Sequence, residues 1–172
     1  MTDEVTLEAA VAQAAPTKVA PTGAVAATEE YITFRIRDQE FCVEITSTRE
    51  IRGWSNATRL PHSPDYLVGV INLRGTILPI IDLSARLGLE PSEPSERHVI
   101  IVVQVEEKIF GLLVDAVSDI LDVGPDQIRQ VPEMNSSQAK EFFKRVIVIE
   151  ERIICEVALD LMVPSQEAQQ AA

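Results

Sequence analysis

Slid against itself by 69 positions, the chain meets its own pattern again. Tyr31 falls on Ile100, Phe34 on Val103, Ile36 on Val105, Phe41 on Phe110, Val43 on Leu112 and Ile45 on Val114. The same shift puts Glu50 on Asp119 and Ile51 on Ile120. Matches at constant offset mark a duplicated unit, here of about 70 residues. Leu60-Pro61 recurs as Val131-Pro132 after two inserted residues, and Ile80-Ile81-Asp82-Leu83 as Ala158-Leu159-Asp160-Leu161. Two copies are too few for a solenoid, so the duplication predicts a pair of small domains.

Within each copy the period is that of strands. Tyr31-Ile32-Thr33-Phe34-Arg35-Ile36 alternates apolar with polar side chains, Asp38-Gln39 can turn, and Phe41 to Ile45 alternates again. Gly69 to Leu73 and Thr76 to Leu83 are β-branched runs on either side of Arg74-Gly75, a tight-turn step that lifts an arginine off the sheet. In the second copy His98 to Val105 and Ile109 to Val114 flank a turn at Glu106-Glu107. About five short strands per copy predict an all-β fold of two five-stranded barrels, the first over 30–90 and the second over 97–150, with 151–163 packing back. Pro91 and Pro94 lie in the linker.

Three short helical turns are expected. Ser47-Thr48-Arg49-Glu50 has capping-box spacing, Ser63-Pro64-Asp65 has an N-cap followed by proline, and Asp82 precedes Leu83 to Leu87, which Gly88 stops. Residues 1–29 and 164–172 read as flexible tails, with a weak Ala-rich helix over Leu7 to Ala15.

A barrel this small fills its interior with side chains, which points away from an enzyme. The seven glycines never take phosphate-loop spacing, and no nucleophile elbow occurs. Neither His62 nor His98 has a neighbour at metal-ligand spacing. Cys42 and Cys155 sit in apolar runs and read as buried thiols, a disulfide being the other reading. Asp82 and Asp160 could be offered as an acid–base pair for a hydrolase, but their matching places in the repeat read as helix caps. No cofactor is expected. A net charge of −12 argues against nucleic acid and anionic membrane surfaces. No secretory signal and no spanning apolar run of roughly 20 residues is visible, so a cytoplasmic protein is expected.

Glu50-Ile51-Arg52-Gly53, Gly69 to Gly75, Ile77 to Leu83, Gly111 to Asp119 and Gln127-Ile128-Arg129 together resemble the bacterial chemotaxis coupling protein family CheW, from Tyr31 to Val163. The resemblance implies two SH3-like barrels around a shared core. It also implies a non-catalytic scaffold between the cytoplasmic tip of methyl-accepting chemoreceptors and the regulatory domain of the histidine kinase CheA, monomeric outside the receptor array. By position, Glu50 and Arg74 resemble the family's paired acid and base, and Thr48, Gly69 and Asn72 lie where the family meets its partners. Ile45, Val99, Phe110 and Gly111 resemble a receptor-gripping groove, and Arg129 with Met134 a second kinase contact. An adaptor of the same fold for another receptor array, and a regulatory domain cut from a kinase, are the alternatives.

Overall fold

A computed structural model describes residues 28–132 and 141–162. The expected tails, the Leu7 to Ala15 helix and Met134 lie outside the described residues. Eleven strands are described: β1 Glu29–Ile36, β2 Gln39–Glu44, β3 Thr48–Gly53, β4 Leu67–Leu73, β5 Thr76–Asp82, β6 Val99–Val105, β7 Lys108–Val114, β8 Ala116–Val123, β9 Ile128–Arg129, β10 Phe143–Ile149 and β11 Arg152–Val157. Two single-turn helices follow β5 and β11: α1, Leu83–Arg86, and α2, Leu159–Met162.

The fold class is the expected one, with the strands divided between two sheets that make up two SH3-like barrels. Their composition is not the expected one. One sheet has the order β3-β6-β7-β5-β4, and the other β8-β1-β2-β11-β10-β9. The contiguous division into 30–90 and 97–150 is therefore corrected. The first hairpin of each copy, β1–β2 or β6–β7, is built into the barrel of the other copy. We call the barrel around β3, β4 and β5 the first and its companion the second.

Pairing registers show that the exchange is symmetric. Thr48 faces Val103 and Ile51 faces Ile101 in the first barrel, while Val117 faces Phe34 and Ile120 faces Ile32 in the second. These are the same pairs once shifted by 69. Each barrel also has one parallel contact, β5 on β7 and β11 on β2. β11 is an integral strand of the second sheet, between β2 and β10.

Three apolar clusters follow. Ile71, Leu78, Ile80, Ile100, Val102 and Leu113 fill the first barrel, and Tyr31, Cys42, Val123, Ile147 and Ile154 the second. The largest cluster lies between the sheets and draws on both, with Ile32, Phe34 and Phe41 against Leu67, Ile81, Ile101 and Phe110. Cys42 and Cys155 are both free thiols. Glu156 opposes Cys42 and Cys155 opposes Phe41, so the two sulfurs leave the sheet on opposite faces and cannot meet.

The helical turns come out mixed. Asp82 caps α1 by accepting from Ser84 N at 3.1 Å, and Gly88 beyond it has φ +86°. Asp82 also accepts from Ser92 N at 2.7 Å, tying the linker down. The turn expected at Ser47 to Glu50 is displaced: Ile45–Ser47 forms a 3-10 turn, and Thr48 onwards is strand. Pairing with β6 outweighs a local capping preference here. Ser63-Pro64-Asp65 opens only a turn, in which Ser63 Oγ donates to Leu60 O. Asp160 is not the counterpart of Asp82. Ala158 stands before α2, because the two copies are offset by 76 at this end, and Asp160 is exposed.

Gly69, in β4, has φ +153°, and a Cβ there would lie 2.5 Å from the backbone oxygen of Thr58. Thr58 and Val70 exchange backbone hydrogen bonds, so that oxygen has no room to retreat. Overpacking and unfavourable φ cost about 1–3 kcal/mol each. Gly69→Ala is therefore expected to lose about 3 kcal/mol, read as a lower midpoint in urea unfolding.

Candidate functional site

Arg74 and Gly75 take φ +51° and +88°, both left-handed, as a two-residue hairpin of primed type requires. Asn72 Oδ1 accepts from Gly75 N at 2.9 Å and closes the turn. The turn projects Arg74, whose side chain is 72% exposed, back toward β3, where Nη2 lies 2.7 Å from Glu50 Oε2. Because β3 and β4 are the two edges of their sheet, this ion pair bridges the seam of the first barrel. Arg52 Nη1 approaches the other Glu50 oxygen at 3.7 Å. The expected pair is thus present, carried by a strand and a hairpin rather than by a helical turn.

The pair stands over an open cleft of about 420 Å³, lined by Arg49, Glu50, Leu73, Arg74, Thr76, Leu78, Val102 and Ile109. Leu78 and Val102 are buried and form its floor. Sequence reasoning missed Arg49, Arg52 and the apolar lining. The alternation of Arg49, Glu50, Ile51 and Arg52 along one strand carried a signal, since it brackets Glu50 with two cations.

Other expected site residues are placed as follows. Thr48 Oγ1 donates to Glu44 O at 3.2 Å at the start of β3, and Asn72 is exposed. Ile45 and Val99 are half-buried at the margin of the shared core. Phe110, 1% exposed, lies inside that core. Gly111 is buried, and a Cβ on it would come within 2.7 Å of Ile80 and 2.8 Å of Ile100. Gly69 is buried under Thr58. In this structure all three are buried and serve packing. Arg129 is exposed at the end of β9, its guanidinium donating to Asp126 O and Ile128 O.

A second polar group was not anticipated. Glu156 is 2% exposed and stands where the other copy, offset by 76, has Ile80. Arg145 Nε donates to it at 2.9 Å, and Arg145 Nη2 reaches Tyr31 Oη at 2.7 Å, Glu29 at 3.2 Å and Glu44 at 3.5 Å. Lys144 Nζ lies 3.1 Å from Glu44. Burial pushes the Glu156 carboxyl up, and Arg145 pulls it back. The hydrogen bond from Tyr31 holds Glu29 below its ordinary value, while burial and that same bond raise the phenol. Burial raises both thiols.

A family model described as the CheW-like domain matches residues 30–167. A probable chemotaxis protein CheW of Rhizobium etli is 55% identical over 142 residues, covering 83% of this chain and 92% of that protein. The chain belongs to the CheW-like family. The chemotaxis protein CheW of Klebsiella aerogenes is 34% identical, covering 81% of this chain and 84% of that one. The scaffolding protein TtCheW of Thermoanaerobacter tengcongensis superposes with a TM-score of 0.71 at 25% identity, over 76% of this chain and 89% of that structure. The CheW-like chain is a chemotaxis scaffold by these relationships. Among the described residues no helix is long and apolar enough to cross a membrane.

Proposed function

We propose that the chain works without catalysis in the cytoplasm, coupling the cytoplasmic tip of methyl-accepting chemoreceptors to the regulatory domain of the histidine kinase CheA. The Glu50–Arg74 pair carries the reading. It is exposed, held at 2.7 Å across the seam of the first barrel, and stands over an apolar floor. An exposed ion pair contributes about 0–1 kcal/mol to stability, so folding alone gives little reason for such an arrangement. A surface that joins an ordered ion pair to apolar area is what a reversible signalling contact uses. Receptor state would reach the kinase as a shift between packing arrangements, which needs differential contact and no chemistry. Arg129 marks a second kinase contact on the other barrel, and Thr48 and Asn72 lie beside the first. Ile45 and Val99, at the margin between barrels, offer the apolar edge for a receptor helix.

Glu50→Ala is expected to keep the melting temperature within a few degrees of the parent, since about 1 kcal/mol moves a domain of this size by about 2–4 °C. It is also expected to abolish most receptor-dependent stimulation of kinase autophosphorylation. Reconstitution with a receptor cytoplasmic fragment and purified kinase reads both the parent and the variant. Full stimulation by the variant would sink the proposed role of the pair.

A further inference from the structure

Two aromatic residues occupy matching places in the two copies, and one arginine lies between them. Tyr66 directly precedes β4 and Phe142 directly precedes β10, at the offset of 76 that also relates the two strands. Their backbone oxygens match as well. Tyr66 O accepts from Asp82 N at 2.7 Å and Phe142 O from Ala158 N at 2.8 Å, and those donors are again 76 apart. Arg86, the last residue of α1, breaks this symmetry. Its Cζ lies 4.4 Å from the centroid of the Tyr66 ring and 5.0 Å from that of Phe142. Its counterpart in the second copy is Met162, fully buried in the shared core.

The guanidinium has few polar partners. Among the described residues no carboxylate forms an ion pair with it, and its buried Nε has no hydrogen-bond partner. Nη2 donates to Leu161 O at 2.8 Å, a carbonyl in the single turn of α2 that the helix itself leaves free. The other contacts are the faces of two rings, one from each copy. A planar, delocalised cation can lie against both and still aim a donor along its edge, whereas a compact ammonium has no face to offer.

This clamp joins the entry of β4 in the first barrel to the entry of β10 in the second. β4 runs from there to the Arg74 turn, roughly 25 Å away at about 3.3 Å per residue. β10 pairs with β9, which carries Arg129. One side chain therefore connects, at their starts, the strands that place both proposed kinase contacts. The shared core presses the sheets together, but apolar contact is non-directional. Arg86 adds a directional link.

We propose that Arg86 is a positioning residue that sets β4 against β10, so that a displacement in either barrel is passed to the other. This rests on the adaptor reading above and gives it a route by which a packing shift crosses between barrels.

Amide hydrogen exchange of the full chain, followed by NMR, tests the clamp without any partner. Arg86→Met gives the first copy the residue of the second and removes the cation. It is expected to speed exchange at both Asp82 and Ala158 by about tenfold or more, since each amide reports one side of the sandwich. Acceleration at only one of them, or at neither, overturns the clamp. Arg86→Lys, at a half-buried position that tolerates a long side chain, should behave in the same way. A lysine that keeps both amides slow overturns the role of the planar cation. Function is read separately with a receptor cytoplasmic fragment and purified kinase. Arg86→Lys is expected to bind each partner within about twofold of the parent and to lose about fivefold or more of receptor-dependent stimulation. Full stimulation, or binding and stimulation lost in parallel, overturns the positioning role. A parent chain that binds neither partner overturns the adaptor reading instead, and the exchange rates still decide the clamp.

Discussion

Cut between Glu93 and Pro94, the chain is expected to give two halves that do not fold separately and that fold when mixed. The first half retains β3, β4 and β5 but lacks β6 and β7, which stand between β3 and β5 in their sheet. The second half retains β8 to β11 but lacks β1 and β2, which stand between β8 and β11. Each half is left with two unconnected pieces of sheet and exposes the inner faces of Ile32, Phe34, Ile101 and Leu112, which are buried in the whole protein. A unit of about 60 residues has little stability to lose even with a complete core. Circular dichroism and urea titration of each half should show no cooperative transition, and the equimolar mixture should recover one. Two contiguous barrels, as the sequence alone suggested, would instead give two independently folding halves. The outcome therefore separates the two topologies.

Arg145→Met is expected to lose about 3–5 kcal/mol, the usual cost of leaving one member of a buried ion pair without its partner. Glu156 would remain at 2% exposure with Tyr31 at 3.4 Å and Lys144 at 3.8 Å as its remaining polar neighbours. Glu156→Gln in the same chain should return a large part of the loss, because the second change removes the stranded charge. The pH dependence has a definite sign. Burial already raises the Glu156 carboxyl above its ordinary value of 4.5, and removing Arg145 removes the principal influence that lowers it. Above pH 4.5 the native state then holds a proton that the unfolded chain releases, so stability falls as pH rises through the interval up to the native value. The gap between Arg145→Met and the double variant should accordingly widen from pH 5 to pH 8 in urea unfolding. A gap that stays constant or narrows would mean that Glu156 is not the group left unpaired.

The strands were legible because alternation along Tyr31 to Ile36 or Ile100 to Val105 reports which face is buried, and repetition at a fixed offset reinforces it. The exchange of hairpins was not legible. A repeat says which strands are equivalent, and both the exchanged and the contiguous arrangement satisfy the same equivalence. Only the register, with Ile120 on Ile32 rather than on its own copy's strands, decides between them. The Glu50–Arg74 pair was reached through the family resemblance: Arg74-Gly75 was legible as a turn, but capping-box spacing placed Glu50 in a helical turn rather than on the strand that carries it. The groove assignment of Phe110 and Gly111 came from the family resemblance, and the burial of both was not legible because an apolar residue near a seam has the same sequence signature on either face. Glu156 escaped notice for a different reason. The offset between the copies grows from 69 to 76 along the chain, so the shift that aligned the first strands never set Glu156 against Ile80.

The parallel contact of β11 with β2 joins Cys155 to Phe41, residues near opposite ends of the folded region. On a ribosome adding about 5–20 residues per second, Phe41 emerges roughly 6–23 s before the strand that must cover it. Until β8 emerges the β1–β2 hairpin presents two bare edges, and until β11 emerges the β2 edge stays bare. Newly made chain of this topology thus depends on what holds it during synthesis, and the barrel that is begun first is the one completed last.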